Sequence, residues 1–182
     1  ALSAIVFTAL TGLIRYFYVT NKYVLESAQA LSSARLATRN AIADLREASY
    51  GADGSYPIIA AATSTVTFHA NITGTVSAER VGYYLSGTTL YRGITAAAGS
   101  PASYAGQTET ATLVVDNIRN ATTSIFRYFD ENGTELSIPV DVGRVRIVQA
   151  RILTDVNPAR APELYELTES ATLRNLRDTD PD

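Results

Sequence analysis

The sequence predicts an α+β fold: one long amino-terminal helix, apolar in its first half and amphipathic in its second, packed on an antiparallel β-sheet. Three observations carry this expectation. From Lys22 to Ser49 there is no glycine or proline, and Ala, Leu, Arg, Glu and Gln are frequent. From Ser55 onward the texture changes to short β-branched and aromatic runs separated by Gly, Asn, Asp and Pro. The length of 182 residues, with 46% apolar and 18% charged, suits one globular domain with an appendage rather than a disordered or multi-pass membrane chain.

The helix begins in the run Ala1 to Ile14, fourteen residues without a charge, followed by Arg15 and the aromatics Tyr16, Phe17 and Tyr18. A span of the hydrocarbon core needs about 20 apolar residues, so the run is short by itself, and Arg15 with its aromatics resembles the interfacial end of a span. Residues 1–21 are therefore expected as a membrane or filament-core half, carried by Leu2, Ile5, Val6, Phe7, Leu10, Leu13 and Ile14. Residues 22–182 are expected as the globular domain, with the helix continuing over 22–49. In that second half Val24, Ala28, Leu31, Thr38, Ile42 and Leu45 recur at three-, four- and seven-residue steps and are assigned to the face that packs on the sheet. Gly51, Gly54 and Pro57 end the helix. A rod from Ala1 to Ser49 would be on the order of 70 Å long, more than one small domain covers, so its leading half must project. The plainer interpretation is a single-pass anchor with a juxtamembrane helix. The sharper one is a subunit whose apolar half inserts into a bundle of like rods.

The strands follow in order. Ser64 to Asn71 alternates, with Val66, Phe68 and Ala70 on one side and Thr65, Thr67 and His69 on the other, which puts His69 at the surface. Glu79–Leu85 and Thr88–Arg92 form a hairpin through Ser86-Gly87. Ala96 to Thr110, rich in small residues and containing Pro101, is expected as a long surface loop. Ser124–Phe129 and Thr134–Ile138 flank an Asn-Gly turn as a second hairpin. Gly143–Asp155 and Glu163–Leu176 are two longer strands joined by Val156–Pro162.

Composition narrows the chemistry. Fifteen Lys+Arg against eighteen Asp+Glu give a net charge of −3 with no basic window, which argues against a direct nucleic-acid partner. With no cysteine and a single histidine, disulfides, thiolate metal sites and cysteine nucleophiles are excluded, and histidine catalysis would fall to His69 alone. No G-x-S-x-G elbow is present, so no catalytic residue, no cofactor and no enzymatic activity is expected. Asp130-Glu-Asn-Gly133 lacks the alternating ligands and distal Glu of a calcium loop, and Asp53, Asp155 and the tail Asp178, Asp180 and Asp182 are expected to be solvated, so no metal site is assigned. Asn71, Asn120 and Asn132 match the N-glycosylation acceptor pattern and are entered as candidate surface sites only.

The plan of this chain resembles that of the type IV pilin and type II secretion pseudopilin superfamily. Ala34-Arg-Leu-Ala-Thr-Arg-Asn-Ala-Ile-Ala-Asp-Leu-Arg-Glu-Ala-Ser-Tyr50 is similar to the helix-end pattern of W-type minor pilins and J-type pseudopilins, where an Asp-Leu-Arg-x-Ala segment closes the helix. Glu79-Arg-Val-Gly-Tyr-Tyr-Leu85 with Thr89-Leu-Tyr-Arg92, Phe126-Arg-Tyr-Phe-Asp-Glu-Asn-Gly133 and Thr172-Leu-Arg-Asn-Leu176 are also similar to that group, and together the segments cover most of the chain. The family's Gly-Phe processing site, with a Glu at the fifth mature position, is not in the sequence; the resemblance places it about ten residues upstream of Ala1. The resemblance implies a non-enzymatic structural subunit that acts in filament assembly or priming. Such a subunit is held in the inner membrane by its single helix, trimmed and methylated by a prepilin peptidase, and passed by an assembly platform to other pilins or pseudopilins in a periplasmic or extracellular filament. The alternative is a membrane-anchored or filament-borne adhesin whose recognition surface is the loop Ala96–Thr110.

Overall fold

The computed structural model describes residues 2–155 and 164–176, the side chains of residues 2, 4 and 5 excepted. The predicted connection Val156–Pro162 and the acidic tail residues Asp178, Asp180 and Asp182 lie outside the described residues. The fold is α+β, one amino-terminal helix packed on antiparallel sheet.

Helix α1 (Leu2–Arg46) runs unbroken for 45 residues, through Gly12. It ends three residues earlier than the sequence pattern suggests, and the reason is local. The N–H groups of Glu47 and Ala48 turn back on the carbonyls of Asp44 and Leu45, tightening the last turn. Ala48 then bridges to Ala70, and the Ser49 N–H donates to the His69 carbonyl at 2.9 Å. The chain leaves the helix in order to pair with a strand. The Asn175 side chain donates to the Ala48 carbonyl at 2.7 Å, which satisfies one of the acceptors a helix end leaves open.

The packed face of α1 is built from small residues. Ser27, Ala34, Ala37, Thr38 and Ala41 are buried, together with Tyr23, Ile42 and Leu45, while Leu31 is half-buried. Val24 and Ala28, expected on this face, are exposed, Val24 at 56%. Val24 stands five full turns before Ile42 and so has the same angular position, but about 27 Å further along the axis, where the flank that covers Ile42 is no longer covered. Ala28 lies further round the helix, outside the buried arc.

Eight strands follow: β1 (Ile58–Ala61), β2 (Thr65–Ala70), β3 (Glu79–Ser86), β4 (Thr89–Thr95), β5 (Thr110–Val115), β6 (Phe126–Phe129), β7 (Ile147–Thr154) and β8 (Tyr165–Thr172). They form two antiparallel sheets, ordered β1-β2-β3-β4-β5 and β6-β7-β8, where the sequence suggested one. The first hairpin forms as expected, with Ser86 opposite Thr89 around Gly87. The second forms only its turn. Phe129 bridges Glu135 and Leu136 N–H donates to the Tyr128 carbonyl, but the outer edge of β6 is then taken by the Thr63 carbonyl, which accepts from Ile125 and Phe126, so the arm 134–138 has no ladder to extend. Strands β1 and β5 lie where none was expected.

One core joins helix and sheets, with Phe68, Tyr83, Leu90, Phe126, Tyr128 and Ile152 among its largest fully buried side chains. Phe68 and Tyr83 stack with centroids 6.4 Å apart. The Tyr128 hydroxyl, buried between the sheets, accepts from the Ala62 N–H at 3.1 Å and lies 2.9 Å from the Ala62 carbonyl.

The turn between β2 and β3 is organised by a buried carboxylate. Glu79 accepts from the Ile72 N–H at 3.1 Å, from the Thr75 hydroxyl at 2.8 Å, and from the Thr73 hydroxyl. Burial opposes its ionisation, yet the Thr73, Thr75 and Ile72 donors prevail and hold its carboxyl below the usual glutamate range. A depressed carboxyl contributes stability that is present above the unfolded-state value of about 4.3 and is lost as pH falls through the lower folded value. Glu79→Gln is therefore expected to lower stability at pH 7 and to differ less from wild type near pH 3. Urea unfolding of both proteins at the two pH values measures this, and an equal loss at both would remove the carboxylate from the account.

Candidate assembly surface

In the first half of α1 the large side chains are exposed on every side. Val6, Phe7, Leu10, Leu13, Ile14, Tyr16, Phe17, Tyr18 and Val19 are between 40% and 74% exposed, a pattern that in a water-soluble helix is reserved for burial all round. Each such side chain is worth about 1.5–3 kcal/mol when fully buried. The segment is otherwise self-satisfied: the Thr11 hydroxyl donates to the Phe7 carbonyl at 2.8 Å within the helix. The first acidic residue is Glu26, paired with Lys22 at 3.7 Å, so the projecting half carries no negative side chain. Among the described residues no helix is long and apolar enough to cross a membrane. Two further exposed residues, Leu25 at 70% and Leu36 at 61%, continue the apolar surface onto the half that packs on the sheet. They were missed because they fall off the face chosen from Leu45 and Ile42.

The carboxyl-terminal end of the helix is held by a polar clasp that the sequence does not announce. Asp44 leaves the packed face toward the first sheet, where the Tyr83 hydroxyl donates to its Oδ2 at 2.6 Å and Arg92 Nη2 approaches the same oxygen at 2.7 Å. Burial pushes the Asp44 carboxyl above its usual range, against the pull of Tyr83 and Arg92. Burial, and then the neighbouring Asp44, push the Tyr83 phenol far above its ordinary value. Helix, β3 and β4 are thereby tied at one atom.

The remaining sequence candidates separate. His69 is buried, not exposed: Tyr104, from the loop after β4, packs on its ring at 4.8 Å between centroids, and the ring Nδ1 lies 3.2 Å from the Tyr56 carbonyl. Desolvation lowers its pKa. Ser55 Oγ lies 3.4 and 3.5 Å from the two ring nitrogens, nearly equidistant from both, while its own hydrogen bond goes to Asp53, so this Ser, His and Asp do not form a nucleophile, base and orienter in series. Tyr104 also donates to the Ala78 carbonyl at 2.6 Å, so the loop proposed as an adhesive surface directs its one aromatic inward as a brace.

Asp130 is buried with Oδ1 accepting from Asn132 and Thr134 N–H groups and Oδ2 facing Arg144 at 3.3 Å, so a guanidinium stands where a cation would bind. Among the described residues no group of three or more His, Cys, Asp or Glu is placed to hold a metal. Asp53 is exposed and Asp155 buried. Of the glycosylation candidates, Asn71 and Asn132 are exposed, but Asn120 is buried. Its Nδ2 donates to the Arg151 carbonyl and its Oδ1 accepts from Leu153 N–H, both at 2.8 Å, extending the β7 ladder past the end of β6 and removing it as an acceptor.

Neither a protein-family model nor a curated protein matches this chain.

Asp44→Ala leaves the Tyr83 hydroxyl and Arg92 without their acceptor and is expected to cost about 1–3 kcal/mol in urea unfolding. Asp44→Asn retains an acceptor oxygen and is expected to cost less. Equal losses for the two would mean that packing, not the clasp, holds this part of the helix.

Proposed function

We propose that this chain is a structural subunit, a minor pilin or pseudopilin, of a type IV pilus-like or type II secretion filament, acting in filament assembly or priming. Before assembly its helix holds it in the inner membrane, where a prepilin peptidase processes it and the assembly platform receives it. The observation that carries this is the exposed, all-round apolar half of α1 on a domain that covers only the other half. Such a surface requires a cover, and a bilayer and then neighbouring helices supply one in turn. Gly12 supports the same reading. No atom lies within 4 Å of where its Cβ would be, so the lone chain has no packing need for glycine there. A mid-helix glycine costs about 0.5–1 kcal/mol relative to alanine, which close approach of another helix offsets.

The test places charge in the apolar half. Leu10→Asp with Leu13→Asp is expected to abolish incorporation into filaments, because an acidic side chain at the centre of an apolar bundle costs several kcal/mol. The unfolding midpoint of the domain should not change, since both side chains are exposed and remote from its core. Filaments that contain the double variant at the wild-type level would refute the assembly role.

A further inference from the structure

We propose that residues 96–109, which join β4 to β5, form an acid-released latch: Tyr104 covers His69 while its imidazole is neutral, and the segment lifts when the imidazole takes up a proton. The inference goes beyond the filament reading and stands whether or not the chain enters a filament.

The segment is held by a single attachment. Ala98 and Ser103 exchange backbone hydrogen bonds at 3.0 and 2.9 Å, which closes residues 98–103 into a small self-paired loop. Tyr104 is the one buried residue between Ala96 and Glu109. Its hydroxyl accepts from the Ala52 N–H at 2.9 Å and donates to the Ala78 carbonyl at 2.6 Å, and its ring lies on His69 at 4.8 Å between centroids. Two residues later Gly106 stands at φ +73°, with no atom within 4 Å of where a Cβ would be, so it can act as a hinge. Loss of the Tyr104 contacts frees the segment and leaves the β4–β5 ladder in place.

The surroundings of His69 favour the neutral base. Nδ1 lies 3.2 Å from the Tyr56 carbonyl, an acceptor, so the ring hydrogen belongs there and Nε2 is the basic nitrogen. The charged and titratable groups that face the ring come from three elements. Asp53, in the connection from α1 to β1, is exposed and accepts from the Ser55 N–H and hydroxyl. Arg80 stands opposite His69 in the β2–β3 ladder, with its guanidinium 5.9 Å from the centre of the Tyr104 ring. Tyr104 itself comes from the latch, and beyond it Glu79 is occupied by Ile72, Thr73 and Thr75. Burial outweighs the Tyr56 carbonyl and Asp53 and, with Arg80, holds the imidazole below its ordinary value.

An imidazolium at this position is a second cation beside Arg80, cut off from water. Hydration relieves it, and the two walls around the ring differ in what can yield. Residues 49–57 are tied to the His69 backbone itself, through the Ser49 N–H and the Pro57 carbonyl. Tyr104 is tied only to neighbouring segments, and a cavity of about 300 Å³ lined by Asp53, Ser55, Ile59, Arg80 and Ser103 already borders the ring on its side. The lifted form returns the ring to water, where it titrates near about 6.5. As pH falls through that value the lifted form binds a proton that the closed form refuses, so the equilibrium moves toward the lifted form until the lower, closed-form value is reached.

The experiment follows the full chain in detergent micelles by NMR from about pH 7.5 down to about pH 5. The single histidine gives one ring titration, and exchange of the Ala52 amide, corrected for its intrinsic pH dependence, reports release of Tyr104. The expected result is a His69 midpoint below about 6.5 and opening at Ala52 that rises by up to about tenfold per unit of pH below that value. His69→Gln should make the opening independent of pH. Tyr104→Ala should move the His69 midpoint up toward about 6.5, because covering and proton binding are coupled in both directions. The proposal is overturned by opening that stays constant over this range, by the same pH dependence in His69→Gln, or by a His69 midpoint that Tyr104→Ala leaves where it was. That last outcome would assign the cover of the ring to residues 49–57.

Discussion

A 45-residue helix is about 68 Å long, and the domain that follows it is too small to cover that length. The mismatch governs the rest of the structure. It divides one continuous helix into a half whose environment is supplied by the chain's own sheets and a half whose environment must come from elsewhere. The sequence obeys the division: among the described side chains, buried residues on α1 begin at Tyr23, while the large side chains from Val6 to Val19 are exposed.

The covered half solves a second problem, which is how to hold a lever by one end. Its buried face is mostly Ala, Ser and Thr, so the backbone comes close to the sheets but little apolar area is gained per residue. Ile42 and Leu45 supply the bulk near the helix end, and the Asp44 clasp with Tyr83 and Arg92 supplies direction. A hydrogen-bonded carboxylate is a better angular restraint than an aliphatic contact, because its partners must keep both distance and alignment. The exit of the chain into the Ala48–Ala70 bridge and the Asn175 cap then fix the last turn from two other elements. Three separate attachments within five residues hold the base of the lever.

Much of this was legible in the sequence, and the failures share a cause. The helix could be read because a long stretch without Gly or Pro has few other conformations, and the first hairpin because a glycine-centred turn between β-branched runs is a local signal. The packed face was legible in Thr38, Ile42 and Leu45, which are buried, and in Leu31, which is half-buried, but not in Val24 and Ala28, because the buried arc is marked as much by Ala34, Ala37 and Ala41, whose burial reports closeness and not hydrophobicity. His69 was placed outside by strand alternation, correctly for its side of the sheet, but that face is covered locally by Tyr104, which comes from a loop 35 residues later. Asn120 was placed at the surface, and Glu79 read as an ordinary strand residue, for the same reason. Each satisfies backbone donors or acceptors that exist only once distant segments meet, and no window of sequence contains both halves of such an arrangement. Strands β1 and β5 were lost because their pairing, not their composition, defines them.

The unbroken course of α1 also determines how the two halves communicate. There is no proline in the helix, and its one glycine, Gly12, lies in the projecting half, so no weak point separates the last exposed turn from the clasp at Asp44. Any rotation imposed on the projecting half by its surroundings is therefore transmitted to β3 and β4 through Tyr83 and Arg92, rather than absorbed in a linker. In a subunit built this way the azimuth at which the domain presents its surface is set by helix phase. One residue inserted or deleted between Val19 and Tyr23 turns the domain by about 100° about the helix axis. The small residues of the covered face and the apolar residues of the exposed face are thus one register, and the length of helix between them is as much a part of the surface as the side chains.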